Sequence, residues 1–339
     1  MFSRRFSVSQ PADGSNQPPA GWGRRTKVEL ALLVLAIIFP VISSDLFLVD
    51  RVGRYYLFAI FAISVDLIWG YGGMFTFGHA AFFGGAGYVV GLLTTRSGWL
   101  LPIGLGWAIV AAVVLASLLA LVMSYLVFSG QTALRGVEFA VVTLAVAFMF
   151  ERLANAGGSI TGGQNGILMD SRLEIPDLIS LNRGYGFYTL SAGLLVVAYG
   201  IARRFVTSDT GLVLRAIRGN EERVDLLGYD VVRVKRRAFM LSGAMAGLAG
   251  AVFYVHDGIV SPSAVGVGSS TLVLLWVVLG GRATLIGPVV GAILLQHLNA
   301  SLSGTLLDTW LVVVGAILVA VIVVFPSGIF GFLSRESTP

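Results

Sequence analysis

The chain has 339 residues, of which 56% are hydrophobic and only 12% charged, and its mean hydropathy is +0.86. A soluble domain carries about 25% charged residues, so this chain has too little polar surface to cover itself in water. It contains no cysteine, which excludes disulfides, thiolate metal sites and cysteine nucleophiles. The net charge of +5 does not point to nucleic acid, because the basic residues cluster between apolar runs, where membrane topology places them.

The first residues are polar. Arg4-Arg5-Phe6 resembles the start of a twin-arginine signal, but "SVSQPADGSNQPPAGWG" follows in place of an apolar h-region. The expectation is a disordered, uncleaved cytoplasmic tail over 1–27, with Arg24, Arg25 and Lys27 abutting the first apolar run. Apolar runs then fall at about 28–43, 55–70, 77–94, 101–128, 137–155, 187–203, 238–256, 270–280, 286–301 and 308–325. A membrane span takes about 20 apolar residues, and helices are the default because lipid offers backbone groups no partner. The predicted fold is an all-α integral membrane protein, a polytopic bundle of about 8–10 transmembrane helices with Gly-interrupted or re-entrant segments. The runs at 270–280 and 286–301 are short enough to be full spans, half-helices or a re-entrant pair.

The loops set the orientation. Segment 203–237 holds Arg203, Arg204, Arg215, Arg218, Arg223, Arg233, Lys235, Arg236 and Arg237, which places it in the cytoplasm. Counting spans from there puts both termini inside, including the tail 333–339, and the polar loop near 156–186 outside.

Two stretches echo each other. "GGMFTFGHAAFFGGA" (72–86) and "GGRATLIGPVVGA" (280–292) share Gly-Gly, a later Thr, a Gly and a Gly-Ala pair. Paired Gly-interrupted segments often line the substrate path of a transporter, although small residues also simply allow close helix packing. These stretches supply the candidate pathway residues Gly72, Gly73, Thr76, Gly78, His79, Gly280, Gly281 and Thr284. His79 is placed either to bond a solute or to tie down a broken helix. Glu138, Glu151 and Asp66 are intramembrane acids, costly and therefore candidates for function, or else groups that reach water or a cation. Glu138 joins the candidate pathway. Asn165 reads as support for an external turn. The three histidines, His79, His256 and His297, lie too far apart for a zinc site. Neither lysine, Lys27 nor Lys235, sits in a phosphate-binding loop, so no metal or nucleotide is expected on this chain.

In 210–239, Thr210 reads as a helix cap and Gly228 as a helix end. Leu214, Ile217, Val224 and Leu227 recur at helical spacing, interrupted by Glu221, beside a charged stripe of Arg215, Arg218, Glu222 and Asp225. Such an amphipathic helix lies either on the membrane surface or in a partner's groove, and its mixed charge favours the partner.

Five stretches in order carry a family resemblance over about 55–332. They are "GYGGMFTFGHAAFFGGAGY", "LRGVEFAVVTLA" (134–145), "TGGQNGI" (161–167), "LRAIRGNE" with "LLGY", and "AFMLSGAMAGLAGAVF" followed by "IVSPSAVG" and "VVLGGRATLIGPVVGAIL". Together they resemble the permeases of ABC importers for branched-chain amino acids, the LivM-type half. The resemblance implies a transport domain over 28–332, with a cytoplasmic coupling segment over 205–237 carried by Leu214, Arg215, Ala216, Ile217, Arg218, Asn220, Glu221, Asp225 and Gly228. It implies a second, LivH-type permease, two cytoplasmic ATPase subunits holding ATP and Mg, an external solute-binding protein, a lipid environment in the bacterial inner membrane, and no covalent chemistry on this chain. Met74, Phe75, Glu138 and Gly219 depart from the family pattern. Gly280-Gly281-Arg282-Ala283-Thr284 resembles a stretch of related urea and short-amide permeases, so that branch stays open as the alternative. An ion-coupled secondary transporter is a further alternative, for which mid-membrane carboxylates are few.

Overall fold

The computed structural model describes residues 45–95, 104–128, 136–169, 174–175, 179–180, 184–305 and isolated positions from 312 to 330. The expected tail 1–27, the run 28–43, most of the run 308–325 and the segment 333–339 lie outside the described residues.

Helix α1 (Leu46–Asp66) starts at Asp45, whose carboxylate accepts from Phe47 N–H at 3.0 Å, and continues into a π-helical turn, Leu67–Tyr71. The chain then leaves the helix until α2 (Ala80–Thr94). There follow α3 (Leu105–Phe128), α4 (Val137–Ala156), α5 (Tyr185–Thr207), α6 (Asp209–Gly219), α7 (Glu221–Leu226), α8 (Val231–Asp257), α9 (Val267–Gly280) and α10 (Ile286–Thr305). Five described helices are long and apolar enough to cross a membrane: Leu46–Tyr71, Leu105–Phe128, Tyr185–Thr207, Val231–Asp257 and Ile286–Gly304. The 15-residue α2 and 14-residue α9 are shorter. At 1.5 Å per residue each covers only about 20 Å of a core about 30 Å thick. These are two of the runs in which glycine interrupts the apolar pattern, and the all-α polytopic expectation holds.

The centre of the bundle is α1 and α8. Both are mostly buried along their length, and α1 packs on α5, α8 and α10 while α8 packs on α2 and α3. Gly243 and Gly247 of α8 sit against Ala120 and Ala116 of α3, so this pair approaches backbone to backbone. The loop expected near 156–186 carries the two-residue strands β1 (Ile167–Leu168), β2 (Glu174–Ile175) and β3 (Ile179–Ser180). β1 pairs antiparallel with β4 (Ile259–Val260), in register Ile167 to Val260, and β2 pairs with β3. Asn165 lies exposed in the short 3-10 turn Gly163–Asn165 just before β1.

Two ends of the bundle are distinguishable. At one, Asp50 of α1 accepts from Gly184 N–H ahead of α5 and meets His256 Nε2 at the end of α8, both at 3.2 Å. At the other, the last turns of α1 and α3 meet the arginine-rich segment 203–237: Arg218 donates to Gly70 O, Arg236 stacks 3.7 Å above Tyr125, and Lys235 lies 5.4 Å above Phe128.

A candidate pathway and coupling site

The break between α1 and α2 is held by side chains from four other helices. Gly73 has φ +72°, where an L side chain is strained, and a Cβ there would lie 3.0 Å from Arg218 Cγ. Thr76 Oγ1 accepts from Gly78 N–H at 3.1 Å, and Phe77 N–H donates to Thr143 Oγ1 of α4 at 3.1 Å. The N–H of Ala80, one of the unpaired donors at the start of α2, donates to Ser270 Oγ of α9 at 3.0 Å.

His79 is completely buried. Its Nε2 lies 3.1 Å from Ser64 Oγ and 2.9 Å from Ser242 Oγ. Each serine already spends its hydroxyl proton, Ser64 on Phe61 O (2.6 Å) and Ser242 on Ser64 O (2.5 Å). The network therefore assigns the ring proton to Nε2, shared between two serine oxygens, and leaves Nδ1 a buried acceptor without a partner. The ring also stacks at 6.0 Å on Phe61 and meets Phe82 edge-on at 5.2 Å. His79 thus ties the start of α2 to α1 and α8. The space beside Thr76, Gly78 and Thr143 is about 10 Å³, room for one water.

The second Gly-Gly pair ends α9. Gly280 packs so closely on α10 that a Cβ would fall 1.9 Å from Gly287 O. Thr284 Oγ1 donates to Gly281 O at 2.7 Å and accepts from Gly287 N–H at 3.1 Å. Ala283 and Leu285 both have positive φ, +60° and +57°. Their N–H groups donate to the two oxygens of Asp66, at 2.7 and 3.2 Å, and Asp66 is completely buried. Arg282 lies 5.0 Å above the Trp69 ring. The second echoing stretch therefore meets the end of α1 and the turn Leu67–Tyr71, just ahead of the first, at the end of the bundle that also carries the arginine-rich segment.

That segment departs from a single helix over 211–228. Asn220 (φ −162°, ψ 101°) ends α6 and caps α7, its Oδ1 accepting from Arg223 N–H at 2.9 Å. The cap of α6 is Ser208, which accepts from Gly211 N–H, and not Thr210. Gly228 does end α7, with φ +84°. Leu214, Ile217 and Val224 face inward as the spacing predicts, whereas Leu227 is 70% exposed because α7 ends at Leu226 and Leu227 is its C-cap. Arg215 Nη2 donates to Val206 O at 3.0 Å, and Glu221 accepts from the buried Lys235 Nζ at 2.7 Å. Ala216, Arg218 and Asp225 are on the exposed side. Between this segment and the first break lies a cavity of about 130 Å³ lined by Gly72, Gly73, Phe139, Arg218, Glu221 and Lys235.

Glu138 stands apart, exposed in the first turn of α4, and Glu151 lies toward the other end of that helix against Gly266. Sequence reasoning missed Ser64, Thr143, Ser242 and Ser270, which hold the break. Their signal was a short polar side chain inside an apolar run. It also missed the exposed Leu226 and Tyr229, which with Leu227 form an apolar tip.

Residues 48–322 match the family model described as branched-chain amino acid transport system / permease component. The chain belongs to this family of transport permeases and is a multi-pass membrane protein. It is 29% identical over 306 residues to the high-affinity branched-chain amino acid transport system permease protein LivM of Escherichia coli K12, covering 82% of this chain and 69% of the relative. It is 28% identical over 292 residues to the LivM of Salmonella typhimurium, covering 78% of this chain and 66% of the relative, and 25% identical over 284 residues to the E. coli K12 permease LivH, covering 81% and 91%. The chain thus spans about two thirds of the length of the LivM relatives. No solved structure matches.

Proposed function

We propose that this chain is the LivM-type permease subunit of an ATP-driven importer in the bacterial inner membrane. It moves branched-chain amino acids, delivered by an external binding protein, through a pore shared with a LivH-type permease. Two cytoplasmic ATPase subunits supply the energy, holding ATP and Mg themselves, and the exposed Leu226, Leu227 and Tyr229 fit a groove on one of them. The observation that carries this reading is the grip of Arg218 on Gly70 O, with its stem against Gly73. It joins the segment expected to meet the ATPases directly to the break in the bundle. A displacement of α6 would be felt at Gly70–Gly73, and through Asp66 at the turn 281–285. Alternating access needs such a bistable element, whose two arrangements the partners bind differently.

The test is uptake of labelled leucine and labelled urea in cells with and without this gene, with ATP depletion and an ionophore as separate arms. Loss of leucine uptake that follows ATP and ignores the ionophore supports the reading. Loss of urea uptake alone moves the chain to the amide branch and gives Arg282 a role in solute choice. Uptake that follows the ion gradient overturns the ATP-driven mechanism.

A further inference from the structure

At the end of the bundle opposite Arg218, a second cavity of about 550 Å³ opens between α1, α8 and α10. That is within the size range of small-ligand pockets. Its lining is rich in donors: Arg51, Arg54 and Tyr55 from α1, and Gln296, Asn299 and Ser303 from α10, with Phe58 and Phe253 as an apolar wall.

Two of these donors are buried with their protons unspent, Arg54 Nε and Tyr55 Oη, and the Tyr55 hydroxyl oxygen faces the Arg51 guanidinium, which can only donate to it. Arg54 is aimed by longer contacts, 3.8 Å from Nη1 to Asp257 and 4.0 Å from Nε to Asp50. Both are too long for a hydrogen bond. Asp50 is in turn engaged by Gly184 N–H and His256. Arg51 rests 4.6 Å above Phe47, and among the described residues no carboxylate lies within 4.0 Å of it. A buried donor left unpaired costs stability, and two of them beside a guanidinium with no carboxylate partner among the described residues define a place for negative charge.

We propose that this cavity binds an oxyanion attached to an apolar group. The oxyanion is held by Arg51, Arg54 Nε and Tyr55 Oη, and the apolar part lies against Phe58 and Phe253. A phospholipid phosphate and the carboxylate of an apolar solute share this chemistry. Arg51 supplies the charge, Tyr55 and Arg54 supply direction, and the aromatic wall rejects a bare inorganic ion.

The test uses the purified transporter complex. Retained phosphatidylglycerol and phosphatidylcholine are counted by native mass spectrometry, and labelled leucine binding is measured in detergent without added lipid. The Arg51→Gln variant loses one charge-assisted contact and is expected to bind the occupant about tenfold more weakly. Tyr55→Phe keeps the ring shape, removes only the hydroxyl, and is expected to weaken binding severalfold. Preferential retention of phosphatidylglycerol that both variants lose assigns the site to a lipid phosphate. Saturable leucine binding that both variants lose assigns it to a carboxylate solute. Equal retention of both lipids, together with no leucine binding sensitive to either variant, overturns the proposal. Because binding is read directly, the result stands apart from whether the complex imports leucine.

Discussion

The two Gly-Gly breaks are built on different principles. The first, 72–79, is tied sideways to four helices by single hydrogen bonds from Ser64, Thr143, Ser242 and Ser270, and its contact with Arg218 faces the amphipathic segment. The second, 281–285, is closed locally by Thr284 and held from outside by the Asp66 carboxylate, which takes two of its N–H groups, and by Arg282 over the Trp69 ring. Distributed ties let a segment shift by exchanging one bond at a time. Fastening two N–H groups to one carboxylate makes the second turn sensitive to a single change.

The largest expected effect follows from removing that fastening. Asp66→Ala leaves two buried N–H groups unpaired and should destabilise the purified complex by about 3–5 kcal/mol, read as a fall in its unfolding midpoint. Asp66→Asn keeps one good acceptor and should cost about half as much. If the alanine variant unfolds like wild type, the carboxylate does not hold the second turn and the contrast collapses. Next is His79→Ala, which loses the shared donor and its packing and should cost about 2–3 kcal/mol, against about 1 kcal/mol for Ser242→Ala. The double variant should cost less than the sum, since both changes break one network. A fully additive result would mean that the ties act separately.

A smaller effect in stability, but a diagnostic one in function, is expected at Arg218. On the proposed ATP-driven mechanism, Arg218→Ala should alter the unfolding midpoint little while lowering solute moved per ATP hydrolysed about tenfold, equivalent to about 1.4 kcal/mol of coupling. An unchanged ratio in reconstituted vesicles would remove the first break from the coupling path. The smallest change is Gly200→Ala in α5. A Cβ there meets nothing within 4 Å, so helix propensity alone predicts a gain of about 0.5–1 kcal/mol.

Much of this organisation was legible in the residues. Apolar runs foretold a polytopic helical protein, and the Gly-Gly pairs of the echo between 72–86 and 280–292 each fall where a helix breaks, at Gly73 and Gly281. The inward faces of Leu214, Ile217 and Val224 followed from their spacing. What was not legible depends on distance along the chain. Ser242 meets Ser64 across 178 residues, and Ala80 meets Ser270 across 190, so no local pattern pairs them. The split at Asn220 was hidden for another reason: asparagine is tolerable within a helix, and only its capping bond to Arg223 shows that it ends one and starts the next. Glu138 stood out as an acid in an apolar run, yet it occupies the first turn of α4, where a carboxylate is favoured by the exposed N–H groups of the helix.

Ala283 and Leu285 hold left-handed backbone conformations that cost L residues about 1–2 kcal/mol each. One carboxylate keeps both there, so the turn behaves as a cocked catch. Drawing Asp66 away releases about 2–4 kcal/mol of this strain, which offsets much of the about 3–5 kcal/mol lost with its hydrogen bonds and brings a second arrangement of the turn within reach.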